Sequence, residues 1–391
     1  MRICFICKYP PIEGGESSKA YWLVKALGKA GNNVYVVTNS WNVENRYREC
    51  ISPDDIDYYQ PKGVKVFNTN PFQRPKFIPS FKCYTEELST LAIDVINRYN
   101  AELIDSWYIL PYGIAGFITK NIINKPLLLR HAGSDISRLF ESPNLNTLFK
   151  EIIKRADKII TYPSMIEFFS GLGVPKNNIF LNRISVDTEA FNPNVKPFDL
   201  SKYTQKTDIP IITYIGKVGI SKGIFDLIKA LSKVKEDFIF LLVTNKTKEL
   251  ENCLKQYHIE NKSIILGFIP CWKIPSIMKL STCIVMPERD FEVKIHTPIL
   301  FREAAAVGTC TIMSNELFNK RAFEIENNVH TLTVNPKESK EFTSKLEFVI
   351  KNPDKANEIG KEAHSMSKKI ENFNYYVKSI NGLYKEVLGI K

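Results

Sequence analysis

Long apolar runs are missing from this 391-residue chain, and with them any stretch able to cross a bilayer as a helix. Residues 1–7 join an arginine to a short apolar run. No small-residue cleavage pattern follows, so the segment reads as a first strand and the expected location is the cytoplasm. Cysteine is scarce: eight in a chain of this length make no disulfide scaffold, and Cys283 and Cys310 sit in apolar, strand-like contexts. Cys4 and Cys7 have CxxC spacing, yet residues three apart on a strand point to opposite faces and cannot chelate one ion. Helix-turn-helix, RNP and zinc-finger spacings are absent, which argues against a nucleic-acid partner. Neither half shows GxGxxG followed by an acidic residue about twenty positions on, which argues against a nicotinamide-dependent oxidoreductase. Short tandem repeats and low-complexity tracts are missing too.

What is present points to two α/β domains. The length allows two cores of ordinary size, and the net charge of +11 calls for an anionic partner, with nucleotide sugars and acidic membrane surfaces both eligible. Strand-like runs at RICFICKYP, VYVVTN, 64–68, 102–107, 126–133 and 158–163 alternate with helical stretches such as TEELSTLAIDVINRY. The alternation repeats at 209–216, 238–245, 263–268, 283–288, 310–314 and 330–335. Two doubly wound, Rossmann-like parallel-sheet domains in series are expected. The polar stretch 191–208 has no clear period and serves as the linker, placing the domains at 1–195 and 196–372. In the final segment, 373–391, Tyr376, Ile380, Leu383, Tyr384 and Val387 fall on one face of an amphipathic helix.

Candidate chemistry gathers where strands end. In KIHTPILFREAAAVGTCTIMSN (294–315), Thr297 is an expected N-cap and Pro298 a first helical residue, leaving the N–H groups of Ile299 and Leu300 to hold a phosphate. Glu303 shares their helical face, and Gly308 closes the helix. His296, beside the N-cap, is a candidate phosphate or sugar contact. In YIGKVGISKGIFDLIKAL, Gly216, Lys217, Lys222 and Gly223 lie between a strand and a helix start, where two ammonium groups would clamp a diphosphate. Gly14 and Gly15 in PPIEGGESSK mark a turn that reads equally as a ligand approach or a plain βα turn. His131 in LLLRHAGSD follows an apolar strand and is expected to face the ligand crevice; a satisfied structural histidine is the alternative. The basic, aromatic stretch 71–82 reads either as a peripheral contact with an anionic membrane or an acceptor site, or as a Pro-rich loop on its own domain.

In their order along the chain these pieces resemble the retaining GT-B glycosyltransferases of glycosyltransferase family 4. The Gly-rich turn YPPIEGGESSK, the strand-end His131, LNRISVDTEAFNP (181–193), the Gly216–Gly223 passage and GFIP (267–270) carry the resemblance. It implies two Rossmann-like domains facing a central crevice, an N-terminal acceptor domain, a C-terminal domain for the nucleotide-sugar donor and a last helix crossing back. It implies Lys217 and Lys222 on the diphosphate and Glu303 on the ribose. Ile299 and Leu300 would give N–H groups to phosphate, and Gly216, Phe268 and Ile269 would border the donor. His131 would stabilise charge near the sugar, and Gly15 would border both substrates. The implied reaction moves a sugar from a nucleoside diphosphate to a hydroxyl of a glycan, lipid or small molecule, with no metal and no cofactor. One position departs from the family's E-x7-E signature: eight residues before Glu303 stands Ile295, so that either Glu288 or Glu292 replaces the first glutamate, or the donor is held differently, or turnover is weak. A non-catalytic nucleotide-sugar or glycan-binding protein and a GT-B-like sugar-nucleotide epimerase are the rival readings.

Overall fold

Short runs rich in Ile, Val and Leu, apolar at nearly every position, build two parallel sheets buried on both faces. The computed structural model describes residues 1–70, 83–205, 208–291, 299–320 and 323–390. It divides into two units, Met1–Ser185 with Phe373–Lys391, and Val186–Asn372.

In the first unit β1 (Arg2–Cys7) leads through the glycine turn to α1 (Gly15–Lys29) and β2 (Asn33–Thr38). An irregular stretch with the one-turn α2 (Ile56–Tyr59) precedes β3 (Val64–Asn68). Then come α3 (Tyr84–Tyr99), β4 (Leu103–Trp107), α4 (Ile114–Ile123) and β5 (Leu127–Arg130). The sheet is completed through α5 (Asn146–Arg155), β6 (Lys158–Thr161), α6 (Ile166–Gly171) and β7 (Ile179–Leu181). Its seven strands lie in the order β3-β2-β1-β4-β5-β6-β7, so the winding reverses between β1 and β4.

The second unit repeats the plan with β8 (Ile211–Ile215), α7 (Ile224–Leu231), β9 (Ile239–Val243), α8 (Lys248–Gln256) and β10 (Ser263–Ile265). It continues with α9 (Ile274–Leu280), β11 (Cys283–Met286), α10 (Ile299–Val307), β12 (Cys310–Ser314), α11 (Asn315–Asn319) and β13 (Leu332–Val334). Helices α12 (Ser339–Lys351) and α13 (Pro353–Ile370) close it. The strand order β10-β9-β8-β11-β12-β13 reverses between β8 and β11. Strand β9 shows why both faces must be covered. Phe240 and Leu242 enter one core with Leu227, Leu231 and Phe342, while Ile239, Leu241 and Val243 enter another with Ile277. Each such side chain contributes roughly 1.5–3 kcal/mol on burial.

Residues 186–195, assigned by the sequence to the first domain, lie in the second unit. The reason is a hydrogen bond from the Val186 N–H to the buried carboxylate of Glu371 (2.8 Å), together with the burial of Phe191. The last helix, α14 (Phe373–Leu388), belongs to the first unit. It buries Tyr376, Ile380, Leu383 and Tyr384, the face expected from its spacing, and the Tyr384 hydroxyl donates to Asp105 in β4 at 2.6 Å.

Candidate functional site

Where the second sheet reverses, the C-terminal ends of β8 and β11 are neighbours, the place at which open parallel sheets collect ligands. Lys217 leaves β8 in a turn fastened on both sides. The Gly216 N–H donates to the Val243 carbonyl of β9 (3.1 Å), and the Tyr214 hydroxyl donates to the Lys217 carbonyl (2.7 Å). A short 3-10 turn, Ile220–Lys222, then brings the Lys222 ammonium to Glu288 beyond the end of β11 (2.5 Å) and over the Phe291 ring, 4.3 Å from its centre. Glu288, a candidate for the missing glutamate, is thus the partner of the diphosphate-binding candidate.

The two turns are also joined through backbone. Arg289 donates its N–H to the Ser221 carbonyl (2.9 Å) and its guanidinium to Asp226 in the first turn of α7 (2.6 Å). Glu316 then accepts the N–H groups of Asp290 (2.6 Å) and Phe291 (3.0 Å) while pairing with Lys320 (2.6 Å). These charge-assisted bonds fix the course of the chain as far as Phe291. Glu292, Ile295, His296, Thr297 and Pro298 lie outside the described residues.

Helix α10 begins at Ile299. Ile299 and Leu300 are half-buried, and Leu300 packs against the core that contains Met286, Phe301 and Met313. Glu303, one turn on, is 7% exposed, and Gly308 ends the helix at φ +83°, donating to the Ala304 and Ala305 carbonyls. Phe268 and Ile269 follow β10, two strands from β8; Phe268 is buried and Ile269 packs on the core around Ile277. The second sheet therefore carries Gly216, Lys217, Lys222, Phe268, Ile269 and the start of α10 along one edge.

The corresponding edge of the first sheet carries Gly15 and His131. Gly15 is exposed at the start of α1, after Gly14 at φ +113°. His131 is buried against Tyr162 and Phe169, with Nε2 on the Thr161 hydroxyl at 2.8 Å. Burial lowers its imidazole to about 4, the Ala132 backbone and the Glu16 charge opposing. At neutral pH it is therefore a neutral dipole. Local spacing did not single out Asp135, four residues on, although its place in a Gly-Ser-Asp turn after a strand was a usable signal. Its Oδ2 accepts the N–H groups of Ile109 (3.1 Å) and Ala132 (3.0 Å), tying the loop after β4 to the loop after β5. Burial raises its carboxyl to about 8 against the pull of those two donors. Tyr108, at the end of β4, was equally unsignalled; it adopts φ +81°, a costly conformation for a bulky residue, and its hydroxyl shares a hydrogen bond with Ser134 (2.8 Å).

The two titrations have opposite signs. His131, at about 4 folded against 6.5 unfolded, weakens the fold as pH falls from 6.5 towards 4. Asp135, at about 8 folded against 3.8 unfolded, weakens it as pH rises from about 4 through 8. Above pH 6.5, of the two, Asp135 alone still acts, removing up to about 1.4 kcal/mol per pH unit. Asp135→Asn should flatten the fall in thermal midpoint between pH 6.5 and 8; an unchanged slope would remove Asp135 as its source.

Residues 195–366, nearly all of the second unit, match the family model "Glycosyl transferases group 1". An uncharacterized glycosyltransferase of Methanocaldococcus jannaschii is 22% identical over 335 residues, covering 81% of this chain and 80% of its own length. The structure of a sucrose-phosphate synthase from Thermosynechococcus elongatus superposes with a TM-score of 0.71 at 18% identity, over 99% of both chains. HepE of Anabaena, solved in complex with UDP and glucose, gives 0.70 at 16% identity, over 99% of this chain and 100% of its own. The two doubly wound units are thus those of the GT-B fold, the second of them carries the match to glycosyl transferases group 1, and the chain is a glycosyltransferase.

Proposed function

We propose that the chain transfers a sugar from a uridine diphosphate sugar to an acceptor hydroxyl, with retention of anomeric configuration and without a divalent ion. The observation that carries this reading is the placement of Lys217, Lys222 and the start of α10 along one edge of the second sheet, at and beside its order reversal. As the bond to the anomeric carbon breaks, negative charge grows on the departing diphosphate. Two ammonium groups and a helix N-terminus stabilise that charge more than they stabilise the bound donor, which is the condition for speeding the step. Glu303 is the partner for ribose hydroxyls, and the neutral His131 is a hydrogen-bonding dipole for the sugar. Uridine is preferred because the similar HepE was solved with UDP. No described helix is long and apolar enough to cross a membrane, and the membrane-contact candidate, 71–82, lies outside the described residues.

Thermal shift with UDP-, GDP- and dTDP-sugars tests the donor. A ligand at about a hundred times its Kd adds roughly 2.7 kcal/mol of stability. UDP-sugars should raise the melting midpoint, and transfer should survive excess EDTA with an α-linked product from an α-linked donor. A midpoint unmoved by any of the three donors would sink the reading.

A further inference from the structure

Around the order reversal of the second sheet, cations already have carboxylates in contact. Lys222 meets Glu288 at 2.5 Å, and Arg289 meets Asp226 at 2.6 Å and Asp290 at 2.8 Å. The arginine pairs tie turns together, but the lysine pair is out of place. A carboxylate touching the ammonium that is to hold a diphosphate cancels much of the attraction on which such a site depends. The contact is half-buried, with the Lys222 side chain 25% and the Glu288 side chain 18% exposed, so a ligand can reach it while water screens it only in part.

The backbone of Glu288 is fixed on both sides. Pro287 lies so close to Gly223 that a Cβ there would stand 1.8 Å from the Pro287 carbonyl oxygen, and the Arg289 N–H donates to the Ser221 carbonyl at 2.9 Å. Both contacts reach the turn that carries Lys222. The charge of Glu288 is felt at the turn of Lys217 as well: burial first, and then the Glu288 carboxylate, push up the Tyr214 phenol, whose hydroxyl donates to the Lys217 carbonyl at 2.7 Å. The Phe291 ring covers another side of the Lys222 ammonium, its centre 4.3 Å from Nζ. A diphosphate brought to this ammonium must therefore either share it with Glu288, anion beside anion, or displace the carboxylate. Displacement is the cheaper course, because rotation of the Glu288 side chain between staggered positions frees the ammonium and leaves the Gly223–Pro287 approach closed.

We infer that Glu288 and the diphosphate of the donor compete for Lys222, which makes Glu288 an affinity-determining residue of the donor site. The place of the diphosphate at Lys222 rests on the function proposed above; the contact between Lys222 and Glu288 does not. The competition lowers the apparent affinity for any ligand that needs the ammonium, by the fraction of molecules in which Lys222 is available. It also serves turnover, since Glu288 retakes Lys222 as the nucleoside diphosphate product leaves.

Calorimetric titration of the full-length protein with UDP is the test. Glu288→Gln keeps the length of the side chain and removes its charge. It should bind UDP about tenfold more tightly and release it more slowly, as expected if Lys222 is available in about one molecule in ten. Damage to a site weakens binding, so a gain is a result that a merely structural role would not give. Uridine, which carries no phosphate, should bind both forms within about threefold of each other. UDP affinity that is unchanged or lower in Glu288→Gln overturns the competition, and so does an equal gain for uridine. Should Glu288→Gln fail to fold, Glu288→Asp, which draws the carboxylate back by one methylene, should show a smaller gain and is overturned by the same results. GDP and dTDP are titrated alongside. A gain seen with one of these and not with UDP would reject the proposed base and keep the competition, whereas no binding of any of the three by either form would sink the diphosphate site and the competition with it.

Discussion

Lys222→Ala should lower kcat/KM for the donor by about a hundredfold to a thousandfold, mostly through kcat. The ammonium stands on the end of a 3-10 turn beside the order reversal of the second sheet, so the alanine variant removes a positive charge from the proposed diphosphate site. It also removes the ammonium held at 2.5 Å from Glu288, whose negative charge would then oppose a diphosphate in the proposed site. The two effects act in one direction, and the second can be separated. Adding Glu288→Gln to Lys222→Ala should recover donor binding more than kcat, because it relieves repulsion without restoring the cation. Steady-state kinetics with the best donor of the thermal-shift screen measures both. A Lys222→Ala enzyme within about threefold of normal kcat/KM would remove Lys222 from the reacting centre.

Gly223→Ala should cost more than about 4 kcal/mol, enough to place it among the rare, diagnostic substitutions. Gly223 has φ +68°, a left-handed conformation that costs an L side chain about 1–2 kcal/mol. The added methyl would stand 1.8 Å from the Pro287 carbonyl oxygen, so the turn after β8 and the chain leaving β11 would have to separate. Pro287 immediately precedes Glu288, and the separation would also break the Lys222 pair. Gly219→Ala supplies the comparison: its φ is 174°, and the nearest heavy atom to its methyl is Lys222 Cγ at 3.9 Å, so it should be nearly neutral. Thermal midpoints of the two variants decide the matter. Similar midpoints would mean that the approach of Gly223 to Pro287 is not what holds the turn.

The fold was legible because it is written in local periods. Apolar runs such as FIFLLVTN and VYVVTN cannot be half-exposed strands, and helical spacing between them forces parallel pairing. Strand β7 escaped because Ile179–Leu181 is three residues long and lies at the sheet's edge, partly exposed. The candidate site was legible in residue type and position, since Lys217, Lys222 and His131 all follow strands. The partners of the charges were not. Arg302 meets Glu371 69 positions away, and Asp105 meets Tyr384 279 positions away, distances that no local spacing encodes. Asp105 did leave one trace, as the lone charge inside the apolar run of β4. A carboxylate in such a place must find a cation or a donor, and Arg130 on the adjacent strand is the cation.

The return of α14 to the first unit fixes an order of events during synthesis. Asp105 and Arg130 are made early, but Tyr384 leaves the ribosome only after residues 186–372, which occupy roughly 10–40 s at about 5–20 residues per second. Through that interval the nascent first unit has its sheet without the helix that covers Asp105. Its last surface is closed by a helix made after the whole second unit, so the first unit is completed only once the second has been synthesised.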